Sequence, residues 1–465
     1  MQEIKFGTSG WRAVMAEDFT LANVRRALTG IARYVSKQKP SGARVIVGRD
    51  PRFLGEILVD AAAEILSAHD IRALVISEPA PTPAIAYEVI RSGADGAINF
   101  TASHNPPEYN GIKFSTSDGA PALPEVTRQL EAEIAKVSDG VADASKPGLR
   151  ENIDVKANYL ARLGELVDLK AIRDAELKVG YDPFWGAARG YPDSLLREAG
   201  VDVFSLHDCR DVLFGGHAPE PDDPLLGELR QEMRRRGADI GIATDGDADR
   251  FGILDEDGTF IAPNYIIALL FDYLVETRGW KNGVAKSVAT TNLVNALAKK
   301  HGVELYETPV GFKFIGELIK QDKIAIGGEE SAGLSIRHHV PEKDGILAGL
   351  LCCEMRARRG TSLGRQLESL FAKVGSFYPR RENFRLTPEV QATFTEKLKR
   401  EPSEFCGQKV ATVVRTDGLK LVLGDGAWVC YRLSGTEPVV RVYAEARSER
   451  ELNTLSEAAK EWVLK

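Results

Sequence analysis

The stretch GADGAINFTASHN (93–105) and the stretch GADIGIATDGDADR (237–250) decide how this chain is read. In each, Gly-Ala-Asp precedes a short β-rich run that delivers a polar loop. The loops are Thr101-Ala102-Ser103-His104-Asn105 and Asp245-Gly246-Asp247-Ala248-Asp249-Arg250. KIAIGG (323–328) followed by EESAG (329–333) is a third run with a polar loop. In open α/β sheets ligands bind beyond the carboxyl ends of strands, so all three loops stand where chemistry is expected.

Outward from these loops, β-rich runs alternate with helical spacing. RVIVGRD (44–50), IRALVIS (71–77) and DGAINF (95–100) are separated by FLGEILVDAAAEILSA and TPAIAYEVIRSG. The rhythm returns in LKVGYD (177–182), VDVFSLH (201–207) and ADIGIAT (238–244), then in VAKSVAT (284–290), VELYETP (303–309) and KIAIGG. This predicts three tandem α/β units with mostly parallel sheets. After Gly375 the pattern changes to a helix (387–400), strands joined by Asp-Gly turns (409–434) and an amphipathic tail (448–464), a small α+β domain. Residues 138–152, polar and rich in small residues, suit a linker. The expected divisions are 1–146, 153–262, 263–374 and 375–465. Length alone, at ~150 residues per domain, suggests about three.

Composition narrows the function. Sixty Lys and Arg against 67 Asp and Glu leave −7, so neither nucleic acid nor an acidic membrane surface is an expected partner. The longest apolar run, IIALLFDYLV (266–275), is short of membrane length and interrupted by Asp272. The start MQEIKFGTSG lacks a basic and then apolar leader, and five cysteines form no disulfide or zinc pattern, so a cytoplasmic location is expected.

Asp245, Asp247 and Asp249 alternate directly after a strand, so their carboxylates can share one hard cation such as Mg²⁺. An EF-hand is the rival, since Glu256 falls at the twelfth position. It fails because the sixth is Arg250 rather than Gly, and both flanks read as strands. Arg250 can neutralise a substrate phosphate. Ser103 needs a base or metal to become nucleophilic. His104 follows it, but neighbours on an extended chain diverge, so no simple Ser–His dyad is implied. Arg432-Leu433-Ser434-Gly435-Thr436-Glu437-Pro438, with Arg441 close behind, combines a guanidinium fork, hydroxyls and open backbone N–H groups, a phosphate cradle. Gly327-Gly328-Glu329-Glu330-Ser331-Ala332-Gly333 offers carboxylates and a hydroxyl to sugar hydroxyls. There is no Walker A sequence, no G-x-G-x-x-G and no G-x-S-x-G elbow.

Together these loops resemble the α-D-phosphohexomutase family along nearly the whole chain and in order. Gly7-Thr8-Ser9-Gly10-Trp11-Arg12 looks like its amino-terminal loop. Thr101 to Pro106 with Tyr109-Asn110-Gly111-Ile112-Lys113 looks like its phosphoserine loop, and Asp245 to Arg250 like its metal loop. Gly328 to Gly333 looks like its sugar loop, and Arg432 to Pro438 like its phosphate-binding loop. The resemblance implies three α/β mixed-sheet domains and a smaller C-terminal α+β domain around a central cleft. It implies that Ser103 carries a phosphate that completes a Mg²⁺ site with Asp245, Asp247 and Asp249. That phosphate passes to a hexose monophosphate, and the bisphosphorylated intermediate turns over and returns the other phosphate. Arg12 and Lys113, with His104, then stand by the transferred group, while Arg432, Ser434, Gly435, Thr436 and Arg441 hold the distal phosphate. Glucose 1,6-bisphosphate is the expected activator, and the protein is expected as a monomer or homodimer.

Thr308-Pro309-Val310-Gly311-Phe312-Lys313 and His339-Val340-Pro341-Glu342-Lys343-Asp344-Gly345 resemble the glucose-directed members, making Thr308, His339 and Lys343 expected substrate contacts beside Gly328, Glu329 and Ser331. The mannose-directed type usually has His after the sugar-loop Gly, where this chain has Leu334. The glucosamine-directed type usually has Gln where Glu330 stands. Glucose phosphates are therefore expected, with mannose or glucosamine phosphates as the alternative. A metal-dependent sugar phosphatase and a non-catalytic sugar-phosphate sensor are further readings.

Overall fold

A computed structural model describes residues 3–7, 10–137, 149–433 and 439–464. The three expected units are present, and they share one topology. Numbering the four central strands of each unit in chain order, the spatial order is 2-1-3-4 every time. In the first these are Arg44–Arg49, Arg72–Ile76, Gly96–Phe100 and Tyr109–Thr116. In the second they are Lys178–Asp182, Asp202–Ser205, Ile240–Thr244 and Phe251–Asp255. In the third they are Gly283–Ser287, Leu305–Thr308, Ile324–Glu329 and Gly333–Ile336. The first three strands of each unit run parallel, and the fourth is antiparallel to the third. Each polar loop is therefore the turn between third and fourth strands.

The repeated Gly-Ala-Asp has a physical basis. Gly93 and Gly237 end the helices Thr82–Ser92 and Gly227–Arg236 at φ +64° and +66°, the left-handed backbone that glycine adopts without a Cβ penalty. Ala94 and Ala238 are buried. Asp95 and Asp239 each accept the backbone N–H of the residue opening the central strand, from Arg44 and Lys178, both at 2.8 Å. The carboxylate thus fixes where the third strand enters beside the first.

Two departures from the sequence reading concern the first sheet. Trp11–Val14 joins it antiparallel to Tyr109–Thr116. Arg150–Ile153, spanning the end of the stretch read as linker and the first residue given to the second unit, is a sixth strand parallel to Arg72–Ile76. Its polar sequence misled because an edge strand needs no apolar face; Arg150 and Glu151 are exposed and pair with Asp60 and Arg72. Of the linker stretch, residues 138–148 lie outside the described residues.

The helix Pro263–Arg278 contains the IIALLFDYLV run and is core. Asp272 within it is fully buried and bonded by His301 at 2.9 Å and Arg359 at 3.1 Å. No described helix is long and apolar enough to cross a membrane. One continuous apolar core runs from Ile46 and Leu74 through Val179 and Ile242 to Ile326, so the three α/β units are packed as one body. The last domain has an antiparallel sheet covered by helices Pro388–Leu398 and Glu449–Leu464. It is joined to the third unit by Trp428, Cys430 and Tyr443 against Val288 and Ala289, and by Glu445, which accepts from Thr291, Asn292 and Trp428.

Candidate active site

The three third-to-fourth-strand turns interlock. Each holds a non-glycine residue in the left-handed region: Ser103 (φ +51°), Ala248 (φ +60°) and Ala332 (φ +68°). Non-glycine residues held in this region cost about 1–3 kcal/mol each and cluster at functional sites. Phe251 N–H donates to the Ala332 carbonyl, and Gly345 N–H to that of Ala248. A Cβ on Gly246 would lie 2.6 Å from the Ser103 carbonyl oxygen, so glycine is what lets the metal loop reach the serine loop.

At this junction Ser103 is buried, and its hydroxyl donates to Asp245 Oδ2 at 2.6 Å. Asp245, Asp247 and Asp249 are fully buried, with one oxygen from each within 4.8 Å of the others. Lys113 Nζ donates to Asp247 at 2.5 Å and to Asp249 at 2.7 Å, and Lys343 Nζ to Asp249 at 2.5 Å. Burial and the two neighbouring carboxylates push Asp245 well above the usual carboxylate range. Burial acts the same way on Asp249, but Lys113, Lys343 and Arg250 outweigh it and hold that carboxyl low. Burial works against the Lys113 charge, yet Asp247 and Asp249 more than compensate and hold it as an ammonium.

The donor set fits a hard divalent cation. It is all oxygen, it is buried, and Asp247 Oδ1 and Asp249 Oδ1 are without a hydrogen-bond partner. Unpaired buried carboxylate oxygens are costly, and a cation at their centre removes that cost. Asp245, Asp247 and Asp249, with Ser103 alongside, would hold Mg²⁺, which when bound offsets charge on phosphoryl oxygens.

His104 corrects one expectation. Because Ser103 is left-handed rather than extended, the next side chain folds back, and His104 Nδ1 lies 3.3 Å from Ser103 Oγ. Burial, then Arg250 and Arg12, drive its pKa well below the usual value, so the ring is neutral near pH 7. Arg12 donates to the Asn105 side chain at 2.9 Å, on the strand beside Gly111. Arg250 is tied by its N–H to Asp245 at 3.0 Å and by its guanidinium to Glu220 at 3.1 Å.

In the sugar loop, Gly328 and Glu329 end a strand, and Glu329 accepts the Gly311 N–H at 2.7 Å. Burial and Glu330 raise the Glu329 pKa to about 7. Ser331 is half-buried in the turn, and Thr308 ends its strand with its hydroxyl on the Pro309 carbonyl at 3.0 Å. Lys343 stands against the metal loop through Asp249. The His339 side chain is fully buried, with Nε2 2.7 Å from Asp344, whose carboxylate also accepts from Tyr159. That position belongs to the packing of the helix Gly345–Arg359, which Asp344 caps, rather than to an open sugar surface. Arg432 and Arg441 face each other across the strands Trp428–Leu433 and Val439–Ala446, and Arg432 pairs with Asp417 at 2.8 Å. Ser434, Gly435 and Thr436 lie outside the described residues.

Three contributors escaped sequence reasoning. Thr82 donates its hydroxyl to Asp247 at 2.5 Å, accepts from Asn99 at 3.0 Å and gives its N–H to the Asp247 carbonyl. In sequence, Thr-Pro reads only as a helix start. Arg52, with no exposure, donates to the carbonyls of Ser103, Asn105, Pro106 and Tyr109 and to Asp50. Its signal was available: Asp50 and Arg52 follow a strand end, as the other site loops do. Glu220, the partner of Arg250, comes from a segment with no strand or motif beside it.

A buried serine on a carboxylate triad, ringed by arginine and lysine, defines a metal-assisted phosphoryl-transfer site. Comparison with known proteins gives the family. Models of the phosphoglucomutase/phosphomannomutase α/β/α domains I, II and III match residues 3–140, 157–258 and 262–374, and that of the C-terminal domain matches 389–461. A phosphoglucomutase/phosphomannomutase of Thermococcus kodakarensis is 31% identical over 96% of this chain and 95% of its own length. A phosphoglucosamine mutase of Thermobifida fusca is 31% identical over 96% and 94%. A phosphoglucomutase of Komagataeibacter xylinus is 29% identical over 96% and 88%. A crystal structure from Thermus thermophilus, provisionally named a phosphomannomutase, superposes with a TM-score of 0.87 over 100% of both chains at 31% identity. The chain belongs to the phosphoglucomutase/phosphomannomutase family, within the α-D-phosphohexomutases. Its class is that of the mutases, intramolecular phosphotransferases among the isomerases.

Proposed function

We propose that the protein interconverts glucose 1-phosphate and glucose 6-phosphate by way of a phosphoserine at Ser103 and enzyme-bound glucose 1,6-bisphosphate. The observation that carries this reading is the Ser103 hydroxyl, buried and 2.6 Å from the first carboxylate of a triad fitted to Mg²⁺. In the forward step a sugar hydroxyl oxygen takes the phosphorus as the Ser103 Oγ–P bond breaks. The sugar proton leaves, and Ser103 Oγ is reprotonated. His104 is the proton-handling group: its ring is neutral and 3.3 Å from Oγ. Lys113, held as an ammonium, and Arg12 stabilise charge on the moving phosphoryl group. The bisphosphate turns end for end and returns its other phosphate to Ser103. Released bisphosphate re-primes the serine, which makes it the activator.

Arg432 and Arg441, with Ser434, Gly435 and Thr436, hold the phosphate that is not reacting, and Gly328, Glu329 and Ser331 hold sugar hydroxyls. Glucose is favoured by the loop itself: Glu330 and Leu334 stand where the glucosamine- and mannose-directed types usually differ, and Leu334 is buried, offering the sugar no polar group. The relatives reported are all named mutases, and none supports a phosphatase. A coupled assay with the 1-phosphates of glucose, mannose and glucosamine tests the sugar. Equal kcat/KM on mannose or glucosamine would overturn the glucose assignment, and phosphate release outpacing isomerisation would overturn the mutase reading.

A further inference from the structure

A cavity of about 570 Å³ lies at the outer end of the carboxyl edge of the first sheet, away from Ser103. Ile76 and Ile153, register partners on the parallel strands Arg72–Ile76 and Arg150–Ile153, are the last strand residues before it. The carboxyl ends of adjacent parallel strands are where α/β sheets take ligands, and the volume falls within the ~300–1,000 Å³ of small-molecule pockets. We propose that this cavity binds a small phosphomonoester and that its occupancy is coupled to the metal loop.

Charge gives the ligand class. Arg189 and Lys156 both line the cavity. The Arg189 guanidinium donates through Nε to the Gly186 carbonyl at 2.9 Å, and Lys156 Nζ stands 5.3 Å over the Tyr191 ring. Among the described residues neither cation has a carboxylate at ion-pair distance. Burial, then Arg210, lowers the Arg189 pKa, against smaller opposing effects of Cys209, Asp208 and Glu78. A guanidinium fork and an ammonium across a partly desolvated space suit a phosphate head. Glu78 and Asp154, exposed and also lining the cavity, repel polyanions and leave acceptors for the hydroxyls of a neutral tail.

Backbone contacts supply the coupling. Ala187, on one wall, donates its N–H to the Gly246 carbonyl at 2.9 Å. Ser77 to Pro79, also in the lining, are followed after Ala80 and Pro81 by Thr82, which holds Asp247 through its N–H at 2.9 Å and its hydroxyl at 2.5 Å. The lining is thus tied to two adjacent residues of the metal loop, Gly246 directly through Ala187 and Asp247 through Thr82. A ligand that orders the lining changes the spacing of the carboxylates, and linkage requires that Mg²⁺ change the affinity of the cavity by the same factor.

Equilibrium dialysis of full-length protein with radiolabelled inorganic phosphate as the probe, alongside Mg²⁺ titration with and without phosphate, tests this. Phosphate bound at the Ser103 site is common to all variants. Wild type should bind one equivalent more than the double variant Arg189→Gln, Lys156→Gln, and phosphate should shift its Mg²⁺ affinity at least threefold further than it shifts that of the double variant, where only the Ser103 site remains. Glu78→Gln, which removes a repelling charge, should tighten the extra site at least threefold. Mutase activity in phosphate-free buffer should equal that of wild type in both variants. Equal stoichiometry in wild type and double variant, an equal phosphate-induced shift of Mg²⁺ affinity in the two, or no tightening in Glu78→Gln overturns the proposal. Because binding is read without turnover, that failure is separate from any failure of the mutase reading.

Discussion

Ser103 and Asp245 lie 142 positions apart in the chain and 2.6 Å apart in the fold, a serine hydroxyl donating to a fully buried carboxylate. The contact joins the equivalent turns of two repeated units, so a duplicated topology has been assembled face to face into one site. Removing the hydroxyl removes both the nucleophile and the partner of Asp245. Ser103→Ala should lower kcat by about 10⁴-fold or more. Intact mass of purified wild type should show a fraction heavier by one phosphate, absent from Ser103→Ala, and full activity in the variant would end the covalent route.

Thr82 supports the triad from behind through Asp247. Outer partners of metal ligands typically contribute about 10–100-fold to metal affinity. Thr82→Val should weaken Mg²⁺ binding about tenfold by calorimetric titration, and Thr82→Ser should restore it because the donor returns.

Arg52 satisfies four carbonyls of the serine loop from a position with no solvent contact. Lysine keeps the charge but cannot present a planar fork. Arg52→Lys should cost about 2–4 kcal/mol in urea unfolding through unsatisfied carbonyls. It should also lower kcat more than it changes KM, since Ser103 loses its fixed turn while the sugar contacts remain.

Glu329 gives a pH dependence with a definite sign. Burial and Glu330 raise its pKa to about 7, so it is a carboxylate above that pH and neutral below it. If it accepts from sugar hydroxyls, KM should rise as pH falls through 7, by about tenfold one unit below. Glu329→Gln should flatten that limb of the KM profile while raising KM at pH 8.

The reach of the sequence can be judged residue by residue. The strands and site loops were legible because hydrophobic period and turn residues are local properties, and a strand end followed by a polar loop is a local pattern. The Gly-Ala-Asp repeat was visible too, but its meaning was not: Asp95 and Asp239 act on the N–H of strands that begin 51 and 61 positions earlier. Arg150–Ile153 was hidden for the opposite reason, since an exposed edge strand carries no apolar period.

What the sequence determined by itself was the set of elements, their order and the residue types able to do phosphate and metal chemistry. These follow from backbone propensity and side-chain inventory, which do not need a partner. The tertiary structure alone decided which of those residues meet. Left-handed backbone at Ser103 turned His104 back onto its hydroxyl; packing of the third unit carried Lys343 to Asp249 and buried His339 on Asp344; Arg52 and Thr82 became the supports of the serine and the triad. Protonation followed the same rule: within one short loop Asp245 is pushed up and Asp249 held down, because burial and neighbours of opposite charge are properties of place rather than of residue type.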